Sequence, residues 1–261
     1  MQNLQAHASS ILAGMSDSRI RRSLLAGVTV VGVLANASAQ AQPAPSSLHG
    51  SVTLSSEYMQ NGLAHTHDEP SLSVALDFEH QSGFFVGGAV ANVDYIAESQ
   101  FSKPRDTATS VYAGYLWRRN QWMANLSVSR YQYPDIERSY DYTQATANVA
   151  FRDRYFFTVS KTDDYLSIYD SAEVYRAGVA LPWFRNLEFG VNAGRFSADG
   201  SFDTSYSFWD AGLSRSIGRL ALDLRYHDNT YGFSSLLGND ASDLWVLSLT
   251  YPFLPIAGRD R

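Results

Sequence analysis

LWVLSLTYPF, Leu244 to Phe253, places Trp245, Leu247, Leu249, Tyr251 and Phe253 on every second position, with Val246, Ser248, Thr250 and Pro252 between them. A period of two marks a β-strand, because successive side chains leave the backbone on opposite sides. One face of this strand is large and apolar. The other is small and mostly polar.

The same alternation recurs upstream. Leu220, Leu222, Leu224 and Tyr226 alternate with Ala221, Asp223, Arg225 and His227. Leu187, Phe189, Val191 and Ala193 alternate with Glu188, Gly190, Asn192 and Gly194, and Leu72, Val74, Leu76 and Phe78 alternate with Ser71, Ser73, Ala75 and Asp77. From His49 onward the pattern predicts twelve strands, at 48–60, 71–80, 84–95, 108–118, 121–132, 140–151, 154–163, 171–182, 186–196, 205–216, 219–228 and 243–253. The connections take turns in length. HQSGF (80–84), RRNQ (118–121), FRDR (151–154), PWFRN (182–186) and SIGR (216–219) are tight, whereas 61–70, 96–107, 133–139, 164–170, 197–204 and 229–242 are longer and rich in Asp, Ser, Asn, Gly or Pro. Short turns at one end and long loops at the other are the signature of an up-and-down antiparallel transmembrane β-barrel of the outer membrane.

A soluble barrel also alternates, with its apolar face inward. Three features favour the membrane. About eight strands are enough for side chains to fill a barrel interior, and twelve would leave a void. Aromatics gather at strand ends, with Trp117, Trp122, Tyr155, Trp183 and Phe253 by the short turns and Tyr58, Tyr95, Tyr142, Tyr226 and Trp245 by the long loops. Two aromatic girdles are expected where an apolar band meets two headgroup layers. The strands are also longer than the usual soluble strand of about 5–6 residues.

The 261-residue chain is 45% hydrophobic and has no cysteine. That excludes disulfides, thiolate metal sites and a cysteine nucleophile. A net charge of −6 argues against a nucleic-acid partner. Residues 1–39 read as a cleaved signal peptide. Arg19, Arg21 and Arg22 precede the apolar run 23–35, and Ala37-Ser38-Ala39 forms a small-x-small cleavage site. The segment 1–14 looks dispensable, with translation expected to start at Met15. A periplasmic tether (40–47), the outer-membrane barrel (48–253) and a C-terminal tail (254–261) complete the expected organisation.

The stretch 48–95 resembles the start of the TorF-type porin family, also filed as Gcw_chp, a group of proteobacterial exported proteins. The resemblance rests on Gly50, Val52, Leu54, Ser56, Glu57, Tyr58, Pro70, His80, Ser82 to Phe85, Gly87 and Asn92 to Tyr95. YAGY (112–115), YQYP (131–134) and DYT (141–143) fit later parts of the pattern. Where members usually carry an Arg-rich ending to the first strand, this chain has MQNG (59–62), and LPIAGRDR follows the last aromatic. The resemblance implies an outer-membrane porin and carries no catalytic residues, cofactor or solute.

Read inward from the alternation, Glu57, Asp77, Glu79, Asp94, Asp210, Asp223 and Arg225 line the lumen, with Asn92, Asn125, Gln144, Asn148 and Asn192. Acids outnumber bases, and carboxylate rings favour cations. The competing reading is a lumen closed by Asp–Arg pairs and hydrogen bonds. His65-Thr66-His67-Asp68-Glu69 is a weak metal candidate through His65, His67, Asp68 and Glu69, against the simpler reading of a solvated loop. No G-x-S-x-G occurs. Asp223, Arg225 and His227 share a face, where a salt-bridge ladder is simpler than proton transfer. A small-solute or ion channel without a cofactor is the leading expectation. A barrel-embedded lipid-modifying enzyme and a non-conducting adhesin are the rivals. Trp245, Leu247, Leu249, Tyr251 and Phe253 match the closing-strand signal read by barrel-assembly machinery, and outer-membrane lipid is the expected neighbour. The opening and closing strands are expected to pair over Ser51 to Tyr58, ending near Tyr251 because Pro252 has no N–H.

Overall fold

A computed structural model describes residues 46–93, 106–134, 140–167, 169–184, 187–200, 204–231 and 243–257. The expected leader, Asp94 and Tyr95 lie outside the described residues. The strands are β1 (Ser47–Ser55), β2 (Met59–Gln60), β3 (Leu63–Ala64), β4 (Ser71–Glu79), β5 (Phe84–Val93), β6 (Asp106–Arg119) and β7 (Trp122–Gln132). They continue with β8 (Tyr142–Phe151), β9 (Tyr155–Thr162), β10 (Tyr169–Pro182), β11 (Leu187–Gly200), β12 (Thr204–Ile217), β13 (Leu220–Asn229) and β14 (Leu244–Ala257).

Twelve of these strands close into one antiparallel barrel, in the order β1-β14-β13-β12-β11-β10-β9-β8-β7-β6-β5-β4. Sequence neighbours pair throughout, which is the up-and-down arrangement the alternation predicts. Closure gives every barrel strand a hydrogen-bonded neighbour on both sides. Local chemistry sets the tight turns. Arg152 and Asp153 both take left-handed backbone angles (φ 55° and 52°) between β8 and β9. Two successive residues of that kind match the twist of a hairpin.

The seam between β1 and β14 departs from expectation at both ends. Thr53 faces Thr250 and Ser55 faces Ser248, their hydroxyls 2.9 Å apart in each pair. Pairing does not stop near Tyr251. Ser51 pairs with Pro252 and Gly50 with Leu254, so Phe253 is bulged out, and pairing then runs on to Ala257 opposite Ser47. A bulge is where a strand tolerates proline. Gly50 makes room for it, because a Cβ there would lie 2.5 Å from the Phe253 ring. Residues 254–257 are therefore strand rather than tail.

At the other end of β1, the strand expected over 48–60 stops at Ser55. The chain then turns into the barrel as the small hairpin β2–β3, in which Met59 pairs with Ala64 and Gln60 with Leu63. Asn61 (φ 50°) and Gly62 (φ 81°) form its two-residue turn. Asn-Gly is the dipeptide that such a turn favours.

The two barrel faces differ as the alternation predicts. Leu72, Leu76, Val90, Val111, Leu126, Val128, Phe157, Leu213, Leu224 and Leu247 are exposed on the outside, Leu126 by 67%. Thr53, Ser71, Asn125, Gln144, Thr146, Asn148, Ser160, Ser214 and Arg225 are buried on the inside.

Candidate functional site: the barrel lumen

Among the described residues the lumen gathers polar and charged side chains, and it is layered. At the long-loop end aromatic rings form a continuous chain. Tyr131 stacks on Tyr142 with centroids 4.7 Å apart. Tyr142 meets Tyr165 at 4.9 Å, Tyr165 meets Phe196 at 5.2 Å, Phe196 meets Tyr206 at 5.0 Å and Tyr206 meets Tyr231 at 4.9 Å. Tyr58, Leu63 and Leu166 are buried in the same cluster. Tyr58 and Tyr142, expected in an outer girdle, are therefore lumen residues. Tyr142 shares its face of β8 with Gln144, Thr146 and Asn148, so alternation turns it inward.

The inward hairpin is fastened across this layer. Gln60 Nε2 donates to Tyr142 Oη of β8 at 3.0 Å, and Asn229 Nδ2 of β13 donates to the Gly62 carbonyl at 2.8 Å. Those two strands stand five places apart in the barrel order, so the hairpin reaches most of the way across. Met59 and Ala64 pack against Val246 of β14. A Cβ on Gly62 would fall 2.3 Å from Phe208 Cβ, so the turn lies directly on β12.

Glu57 holds the base of the hairpin and does not sit on the strand wall where the alternation places it. Its Oε1 accepts from the backbone N–H of Thr66 at 2.5 Å and of Tyr58 at 3.2 Å, and from the Thr66 hydroxyl. Its Oε2 accepts from the Asp68 N–H at 2.8 Å. A carboxylate with four donors ties both ends of the loop together. Burial raises its pKa above the ordinary carboxylate value, against hydrogen bonds that favour the anion. His65 is buried edge-on to Tyr58, and burial pushes its pKa down to about 3. His65 is therefore neutral at pH 7.

The middle layer carries the charge. Arg225 is buried between two acids. Its Nη1 donates to Asp210 at 2.5 Å, and its Nε and Nη2 donate to Asp223 at 3.2 and 3.1 Å. Asn192 also donates to Asp210 at 2.8 Å, and Ser214 to Asp223 at 2.5 Å. The Arg225–Asp223 pair is the salt bridge expected on that face of β13, and Asp210 of β12 supplies the second partner. Beside the short turns, at the ends of β4 and β6, Glu79 is gripped by Arg118 through a two-pronged contact at 2.5 and 3.0 Å. Asp77 differs, because its hydrogen bond comes from the neutral Tyr112 hydroxyl. On β7–β9 the wall is neutral, with Asn148 donating to Asn125 at 3.0 Å and Thr158 to Asn148 at 2.5 Å. Toward the short turns Leu116, Met123 and Ala150 form an apolar layer with Phe85 and Phe156.

Asp77, Glu79, Asp210, Asp223 and Arg225 thus share the lumen. Asp94 lies outside the described residues, and Asn92 faces outward, because its neighbour Ala91 pairs with the inward Ser73. The sequence reading missed Arg118, the ring chain and the hairpin. Alternation along β6, with Tyr112 and Leu116 inward, would have found Arg118, and Asn61-Gly62 would have found the hairpin.

Among the described residues no group of three or more His, Cys, Asp or Glu side chains is placed to hold a metal. His65 is buried while Asp68 is exposed, so the four candidates in that loop diverge. On β14, Trp245, Leu247, Tyr251 and Phe253 are exposed on the outer face, with Leu249 on the same side.

The Gcw_chp family profile, described as a bacterial protein of unknown function, matches residues 39–248. No curated protein matches the chain. Several solved structures are similar in outline. The KdgM porin is 9% identical with a TM-score of 0.46, over 80% of this chain and 99% of that one. The COG4313 outer membrane channel from Pseudomonas putida F1 is 11% identical with a TM-score of 0.46, over 81% and 96%. The outer membrane channel DcaP of Acinetobacter baumannii is 12% identical with a TM-score of 0.41, over 80% and 96%.

Proposed function

The chain belongs to the Gcw_chp family of bacterial proteins, and we propose that it is a porin-type channel of the outer membrane that passes small solutes or ions and prefers cations. The observation that carries this reading is the inverted polarity of a closed barrel. Its outer face is an apolar band and its inner face is polar. Water does not stabilise a continuous exposed apolar belt, whereas lipid does. Trp117, Trp122, Tyr155 and Trp183 are exposed by the short turns. Trp209 and Trp245 flank Tyr226 near the long loops, at 5.4 Å on each side. Such rings suit the two interfaces of a bilayer. The TorF-type porin label implied by the sequence belongs to this reading, as do export by a cleaved leader and delivery by assembly machinery that reads Trp245 to Phe253.

Transport would be passive diffusion through the polar middle layer, narrowed by the hairpin. Asp77, Glu79, Asp210 and Asp223 outnumber Arg118, Arg176 and Arg225, which favours cations. The test is the reversal potential of the refolded protein in a planar bilayer under a potassium chloride gradient. A cation-selective potential supports the proposal. Anion selectivity overturns the preference, and silence at every voltage overturns the channel.

A further inference from the structure

The lumen wall is lopsided. On β8 and β10–β13 it carries Tyr142, Arg176, Phe196, Tyr206, Phe208 and Arg225. The hairpin is fastened to that side, at Tyr142 and Asn229. On β4–β6 the inward positions above Asp77 are Ser71, Ser73, Ala75, Ala89, Ala91 and Ser110. Ser71, Ala91 and Ser110 are buried, whereas Ser73, Ala75 and Ala89 are partly solvent-exposed although they point inward, so the space before these three is open.

A second observation points to a polar occupant. Just below, Asp77 presents a carboxylate whose hydrogen bond comes from a phenol and not from an arginine.

We infer that hydrated small cations pass the constriction off-centre, along the Ser73, Ala75 and Ala89 wall, and that Asp77 is the charge that selects them. This inference rests on the channel reading. The native chain has no cysteine, so single cysteines report on the path cleanly. Ala89→Cys should react with a charged methanethiosulfonate an order of magnitude faster than Ala180→Cys, which is buried on β10 on the opposite wall. Heat-modifiable gel migration verifies that each variant is folded, and mass spectrometry reads the labelling without reference to conductance. In a bilayer the positively charged reagent should at least halve the conductance of Ala89→Cys and leave Ala180→Cys unchanged. Asp77→Asn should at least halve the cation-to-anion permeability ratio. Equal labelling at the two positions, or an unchanged ratio, overturns the off-centre path while the channel stands. Asymmetric labelling without conductance in any variant overturns transport and leaves only a hollow.

Discussion

The two sides of the lumen are built on one alternation and differ in what fills it. Along β10–β13 the inward positions hold large rings and an arginine clasped by two aspartates. Along β4 and β5 the inward positions toward the long loops include Ser71, Ser73, Ala75, Ala89 and Ala91, with Asp77, Glu79 and Phe85 nearer the short turns. The difference shows that strand polarity and lumen shape are separate properties. Any polar or small residue satisfies an inward position, but only side-chain volume decides which half of the barrel is solid.

The largest break should come at Arg225. Arg225→Ala leaves Asp210 and Asp223 facing each other without their cation, and losing one partner of a buried pair costs about 3–5 kcal/mol. The thermal midpoint of the folded barrel should fall sharply, and adding Asp210→Asn and Asp223→Asn should recover much of the loss. Glu57→Ala comes next. It strands the buried N–H of Thr66, at about 1–3 kcal/mol, and leaves the N–H of the exposed Asp68 to water. The hairpin should leave the crowded wall, with a several-fold rise in conductance and protease cleavage between Ser56 and Pro70, while the barrel stays folded. Gly62→Ala should loosen the same hairpin less. The left-handed turn costs a non-glycine residue about 1–2 kcal/mol, and Phe208 must also give way. Open events in single-channel records should lengthen.

The smallest effect is one of pH. A histidine whose pKa is lowered by burial supports the packed state above its unfolded value and withdraws that support as pH falls. For His65 the window runs from about 6.5, the value in the open loop, down to about 3. The raised pKa of Glu57 works against this, since it favours packing once the carboxyl is protonated. Channel opening should rise between pH 6.5 and pH 4, and His65→Asn should flatten that rise. An identical pH profile in His65→Asn would assign the response to another group.

Much of the barrel was legible because its signal is local. Leu220 to Tyr226 and Leu72 to Phe78 announce their faces without reference to any partner. The hairpin was not, although Asn61-Gly62 spelled its turn. Continuing the alternation past Ser55 made Glu57 look like a wall residue, and nothing local says that a loop folds inward instead of outward. Tyr142 fell between two rules. A strand-end aromatic suggested a girdle, while Gln144 and Asn148 on the same face required the lumen, and parity won. Pro252 was read as the end of pairing because the bulge at Phe253 depends on Gly50, a residue some 200 positions away in the chain.

By itself the sequence indicated about twelve wall strands, their two faces and the alternation of short and long connections, since all three follow from periodicity and turn chemistry within a few residues. The tertiary structure alone decided that the first long loop enters the lumen, that the tyrosines join into one chain of rings, and that Arg225 takes two partners while Asp77 meets a phenol. Those contacts join strands far apart in the chain, and their geometry exists only once the barrel has closed.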